Sequence, residues 1–278
     1  MNYLKLVNFE VNRFIKIYIV LLGITMVSQI AGVIVKASQY VGDVNQAIYE
    51  ELTPKAEFLE MYGQISMGML TRSMWFTGPI ALCIAALLFY LFLIWYRDWF
   101  GKNTFIYRLL MLPTARLNLF WSKITTIFLM VLGLVAVQLL LLPLENLFLR
   151  MIVSKDFRMD LSIIQIIDQS GYMGVFIPTQ IMDFFINYGI GFMVVVVLFT
   201  AILFERSFRF KGMFLGIVYG VSCTLLFLSP ILITELIGVG ANYFYPNELF
   251  LIELALGLII VAASIYVSHF LIKRKITV

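Results

Sequence analysis

Six runs of about twenty apolar residues each divide this chain, and every one is long enough to cross a lipid bilayer as a helix. They cover approximately residues 17–35, 75–96, 124–142, 184–204, 213–237 and 249–271. The runs are continuously apolar and do not alternate every second residue. That pattern fits helices, which satisfy their own backbone hydrogen bonds in lipid, and not barrel strands. With 62% hydrophobic and 13% charged residues, the chain carries more apolar surface than a water-soluble fold can bury. The expectation is an all-α polytopic membrane protein with one transmembrane domain over residues 1–278.

Lys and Arg set the orientation, because cytoplasmic segments are enriched in both. Lys5, Arg13, Lys16, Arg97, Lys102, Arg108, Arg116, Lys123, Arg206, Arg209, Lys211, Lys273, Arg274 and Lys275 all fall in one alternating set of segments. Only Glu10, Asp98 and Glu205 accompany them as acids. The other set is net acidic. This distribution puts both termini in the cytoplasm, which six spans allow. The first run is too long for the apolar part of a cleaved signal, so it reads as a retained span. Trp75, Tyr90, Trp95, Tyr96, Trp99 and Trp121 lie near span ends, the depth that amphipathic rings prefer.

Residues 2–16 place Leu4, Val7, Val11, Phe14 and Ile15 at helical spacing, with Lys5, Asn8, Asn12 and Lys16 between them. This predicts an N-terminal amphipathic helix lying at the membrane interface, with a cytoplasmic extension of the first span as the other reading. Two outer connections, 36–74 and 143–183, are long enough to fold. In the first, Thr53-Pro54 suits a helix start, followed by a stripe of Phe58, Met61, Ile65 and Met69. In the second, Asp160 is placed to cap a short helix that Gly171 ends.

The longest inner connection, 97–123, predicts a short helix starting at Asn103-Thr104, with Phe105, Leu109 and Leu112 on one face and Arg108 beside it. Pro113 breaks that helix. The chain then returns toward the bilayer through Arg116 and Lys123.

This connection resembles the one between spans two and three of type 2 ABC transporter permeases, the ABC-2 family of exporter membrane subunits. The resemblance rests on Asp98, Asn103-Thr104, Leu109-Leu110-Met111-Leu112, Pro113-Thr114-Ala115-Arg116 and Lys123, together with six spans and inside termini. Asn103 stands where the family has Gly, and the family's hairpin between spans five and six is not evident. The resemblance implies a permease subunit of an ATP-driven exporter in a cell membrane, bacterial by family. It implies coupling to a cytoplasmic ATPase dimer through Asp98, Thr104, Arg108, Leu109, Pro113, Arg116 and Lys123. It also implies a second permease, identical or related. ATP and Mg would be bound by the partner, since the chain has no Gly-x-x-x-x-Gly-Lys-Ser/Thr loop and no cofactor motif of its own. Nothing points to an enzyme by itself, to a metal or to nucleic acid.

Asp183, Glu235 and Glu253 fall near outer span ends and suggest an acidic rim for cargo, with outer-interface solvation as the bland reading. The spans are otherwise almost free of charge, which favours an amphiphilic cargo such as a peptide, antibiotic, lipid or lipid-linked glycan. Gly212, Gly216 and Gly220 recur every fourth residue and predict a close-packing helix face, within the subunit or against a second one. The other function class is a membrane sensor or immunity subunit whose outer segments bind a peptide without transport.

Overall fold

The computed structural model describes residues 3–99, 115–236 and 245–275, and it is helical almost throughout. The elements in chain order are α1 (Tyr3–Asn45, with a wider turn to Glu50), α2 (Lys55–Tyr62), β1 (Ile65–Ser66), α3 (Met67–Thr71), α4 (Met74–Trp99), α5 (Leu117–Ile152), β2 (Arg158–Met159), α6 (Ile163–Ser170), α7 (Met173–Phe176), α8 (Ile181–Leu236) and α9 (Pro246–Phe270, with a wider turn to Lys275). Six helical stretches are long and apolar enough to cross a membrane, at Tyr3–Glu50, Met74–Trp99, Leu117–Ile152, Ile181–Phe208, Phe210–Thr234 and Asn247–Lys275. The chain is an all-α polytopic membrane protein.

Four boundaries differ from expectation. No separate interfacial helix forms over residues 2–16, because α1 runs unbroken from Tyr3 to Asn45. The reason is a single buried face. Glu10, Phe14, Tyr18, Leu21, Thr25, Gln29, Val33 and Ala37 are all buried and recur every three or four residues, with no change of phase at residue 16. The third span does not stop before Pro143. That proline lies inside α5, where the loss of one backbone donor is outweighed by an apolar face continuing through Leu142 and Leu149. The stripe from Phe58 to Met69 is not one helix, since Gly63 (φ +70°) ends α2 and the chain then pairs as β1 with β2 in parallel. The helix at 163 is capped by Ser162 and Gln165 in a reciprocal capping box, and not by Asp160. Asp160 instead takes ion pairs from Arg158 (3.0 Å) and Arg150 (3.3 Å). Gly171 (φ +80°) does end that helix, where only glycine is free of strain.

Two compact units make up the chain. The first comprises residues 1–7, 91–125 and 185–278, and the second residues 8–90 and 126–184. In the second unit, α1, α4 and α5 pack closely. A Cβ on Gly133 would collide with the Tyr18 hydroxyl, and one on Gly32 with the Trp75 side chain. Two buried hydrogen bonds cross this packing: Tyr18 donates to the Met130 carbonyl (3.0 Å), and Gln29 Nε2 to Gln138 Oε1 (3.0 Å). One end of this unit is closed by a folded cap. Its core holds Val33, Ile65, Met67, Leu70, Phe76, Leu142, Leu149, Ile166, Ile167 and Met173. The hydroxyl of Tyr172 donates to the Thr71 carbonyl (2.9 Å), and Arg72 donates to the Gln169 carbonyl.

In the first unit, α8 is assigned as helix without interruption yet folds back on itself. A Cβ on Gly212 would strike the carbonyl of Phe204, and one on Gly216 would lie 2.6 Å from the carbonyl oxygen of Ala201. Residues eight and fifteen apart cannot touch along a straight helix that rises 1.5 Å per residue. The segments before and after residue 209 are therefore two antiparallel arms of a tight hairpin. Thr200, Ser264, Ser268 and Tyr219 bind these arms to α9, with Thr200 Oγ1 2.8 Å from Ser268 Oγ and Tyr219 Oη 2.6 Å from Ser264 Oγ.

Candidate coupling site

The C-terminal turn of α4 and the first turns of α5 meet around one lysine. Lys123 Nζ donates to Asp98 Oδ2 at 2.6 Å and to the Ile94 carbonyl at 2.7 Å. Neither charged side chain has any solvent exposure. The ammonium also lies 5.2 Å from the centre of the Trp95 ring, within cation–π range. Trp95, Phe120 and Phe199 form an aromatic cluster with centroids 5.7–6.5 Å apart, Phe199 meeting both other rings edge to face.

Local sequence explains this assembly. Ile94, Trp95 and Asp98 fall on one helical face of α4, while Phe120 and Lys123 are three residues apart on α5. Burying two opposite charges is tolerable only when both are neutralised and hydrogen-bonded, as here. Removal of one partner takes away this charge-assisted hydrogen bond at a site with no solvent exposure, at a cost of about 3–5 kcal/mol.

Other basic residues in the same unit are held nearby in sequence terms by specific partners. Arg116 Nη1 donates to the Ile272 carbonyl (3.3 Å). Tyr96 donates to Glu205, and the Arg206 guanidinium sits 4.5 Å over the Tyr96 ring and 5.7 Å from that of Trp99. Arg206 also lies 3.7 Å from Glu205.

Of the predicted coupling residues, Asp98 and Lys123 are thus brought into one buried pair, and Arg116 contacts the final helical segment. Thr104, Arg108, Leu109 and Pro113 lie outside the described residues. The proposed rim is not brought together as one site: Asp183 is exposed in the second unit, Glu253 belongs to the first, and the side chain of Glu235 lies outside the described residues. One carboxyl oxygen of Glu253 is buried without a hydrogen-bond partner among the described residues. Gly212 and Gly216 pack within the subunit, whereas nothing lies within 4 Å of a Cβ on Gly220. Gly220 instead lines an open groove of about 810 Å³, together with Tyr96, Met193, Val197, Glu205 and Phe227. Its walls are mostly apolar, with Glu205, Tyr96 and Thr224 as polar members.

Sequence reasoning missed Glu145. The sequence reading places it in the outer connection 143–183. In the structure it is fully buried on α5, and neither carboxyl oxygen has a hydrogen-bond partner among the described residues. The available signal was spacing: Leu142, Glu145 and Leu149 share one helical face.

Comparison with protein-family models, with curated proteins and with solved structures finds no match. The class that the structure itself defines is a multi-pass helical membrane protein.

Proposed function

We propose that this chain is the membrane-spanning permease subunit of an ATP-driven ABC exporter, moved by separate cytoplasmic ATPases through the 97–123 connection. The supporting observation is the buried Asp98–Lys123 pair. It joins the two ends of that connection, 25 residues apart, at a point with no solvent exposure. A force applied to the connection is then shared by α4 and α5 as one lever, since separating them would break a buried charge-assisted hydrogen bond. The bias of Lys and Arg supports a cytoplasmic position for this connection and both termini. Two such permeases and an ATPase dimer would form the working exporter, with ATP and Mg held by the ATPases.

The groove beside Gly216 and Gly220 suits the apolar part of an amphiphile, consistent with the scarcity of charge in the spans. The test is co-purification. An ATPase is expected to accompany the wild-type chain in detergent, and Arg116→Glu combined with Pro113→Ala is expected to reduce its recovery at least several-fold. Normal recovery with the double variant removes the docking role.

The folded cap over residues 46–73 and 153–177 favours a second reading, that of a sensor or immunity subunit binding an extracellular peptide. ATP-dependent cargo movement in vesicles containing the chain and its ATPase would decide for transport. Peptide binding that persists without ATP and moves no cargo would decide for sensing.

A further inference from the structure

Glu145 is a carboxyl group with no exposure and no partner for either oxygen among the described residues. Its neighbours on the same face of α5, Leu142 and Leu149, belong to the apolar core of the cap, as do Met67 and Met173. Buried polar groups in folded proteins are nearly always paired, so one without a partner needs an explanation. An ionised carboxylate in such a place would cost several kcal/mol, and a protonated one far less. Other charges around the cluster do not compensate it. Lys36, Asp43 and Asp168 are solvent-exposed, and Arg72 is engaged with the Gln169 carbonyl. Arg150, Arg158 and Asp160 form their own ion-paired group. Tyr40 donates to the Gly63 carbonyl (2.7 Å). The titratable group that feels Glu145 is Tyr172, whose phenol is pushed up to about 12, first by burial and then by the Glu145 charge.

We propose that Glu145 is a proton-binding site that latches the cap: protonated, it lies neutral within the closed packing of α3, α6 and α7 against α5, and loss of its proton to water loosens that packing. The inference is independent of the exporter reading, because it concerns the closure of the cap and not what crosses the membrane. The sign follows from linkage. The open cap exposes an ordinary glutamate that ionises near about pH 4.3. Above that pH the open form releases a proton that the closed form retains. Rising pH therefore favours opening, by up to about tenfold per pH unit, until the closed form is itself ionised.

Two measurements on the full-length chain in vesicles test this. Infrared spectra at neutral pH are expected to show a protonated-carboxyl carbonyl band that is lost in Glu145→Gln. Hydroxyl-radical footprinting is expected to show oxidation of buried Met67 and Met173 rising several-fold between about pH 6 and about pH 9. The exposed Met61 and Met69 provide the internal dose reference. In Glu145→Gln, which stays neutral, the protection of Met67 and Met173 is expected to be independent of pH. Absence of the carbonyl band from the wild type overturns the proposal, whether or not the variant folds. So does a rise in oxidation that Glu145→Gln shows equally.

Discussion

Asp98 and Glu145 are both carboxyl groups with no solvent exposure, one in each unit, and their surroundings are opposite. Asp98 has Lys123 at 2.6 Å, while Glu145 has two oxygens without partners among the described residues. The first is a clamp. Its charge is satisfied, and it joins two helices across a long connection. The second is an exposed-type residue forced into an apolar core, where its protonation state decides its cost. Burial alone therefore says little about a carboxylate's role; what it meets inside the fold decides whether it locks or switches.

The largest expected effect comes from making the first site resemble the second. Lys123→Met removes the cation 2.6 Å from the buried Asp98 carboxylate, and is expected to lower stability by about 3–5 kcal/mol. Asp98→Asn combined with Lys123→Met should recover much of that loss, and thermal unfolding in detergent measures both. Full additivity of the two single variants would show that the pair is not coupled.

Next in size is the reverse operation. Glu145→Gln, or Glu145→Leu, removes a group that favours opening of the cap at neutral and alkaline pH. Either is expected to stabilise the chain by about 1–3 kcal/mol near pH 8 and to have little effect near about pH 3.5, below the ordinary glutamate value, where the carboxyl is protonated in both forms. Unfolding midpoints across that range check it, and a loss of stability at both pH values would break the contrast.

A smaller effect is expected at Tyr172. Tyr172→Phe removes the hydrogen bond to the Thr71 carbonyl and is expected to cost about 0.5–1.5 kcal/mol. In Glu145→Gln, the alkaline titration of Tyr172 should fall below about 12, since one of the influences raising it is gone. Ultraviolet absorbance difference between the two chains reads that shift.

The smallest effect belongs to an exposed carboxylate. Lys55 Nζ lies 2.7 Å from Asp156, and that hydrogen bond holds the carboxyl below its usual range. The stabilisation is present above the unfolded carboxylate value and disappears as pH falls through the folded one. Asp156→Asn should therefore lower the unfolding midpoint slightly at neutral pH, leave it unchanged in acid, and so remove that part of its pH variation.

Much of this was legible in the sequence, and the failures have physical causes. Continuous apolar windows sufficed to place six spans, because a bilayer imposes a minimum length on each helix. Asp98 and Lys123 were singled out as the two ends of one motif, although their direct pairing is a fact of packing. Residues 2–16 show how an amphipathic pattern misleads. Leu6, Phe14 and the buried Glu10 continue the packed face of α1, so the same periodicity that suits a membrane surface here suits a neighbouring helix. Pro143 misled in the other direction. A proline ends many helices, but α5 accepts it and carries Glu145 into the cap.

Composition and apolar run length alone determined that this polypeptide lives in lipid as a bundle of helices, because transfer free energy adds along the chain. Charge bias gave the expected orientation for the same reason. Tertiary structure decided which polar groups meet. It seated Lys123 on Asp98, left Glu145 without a partner, turned Gly212 and Gly216 toward their own hairpin and left Gly220 open to a groove. Those outcomes depend on the phase of one helix face against another, which no local pattern specifies.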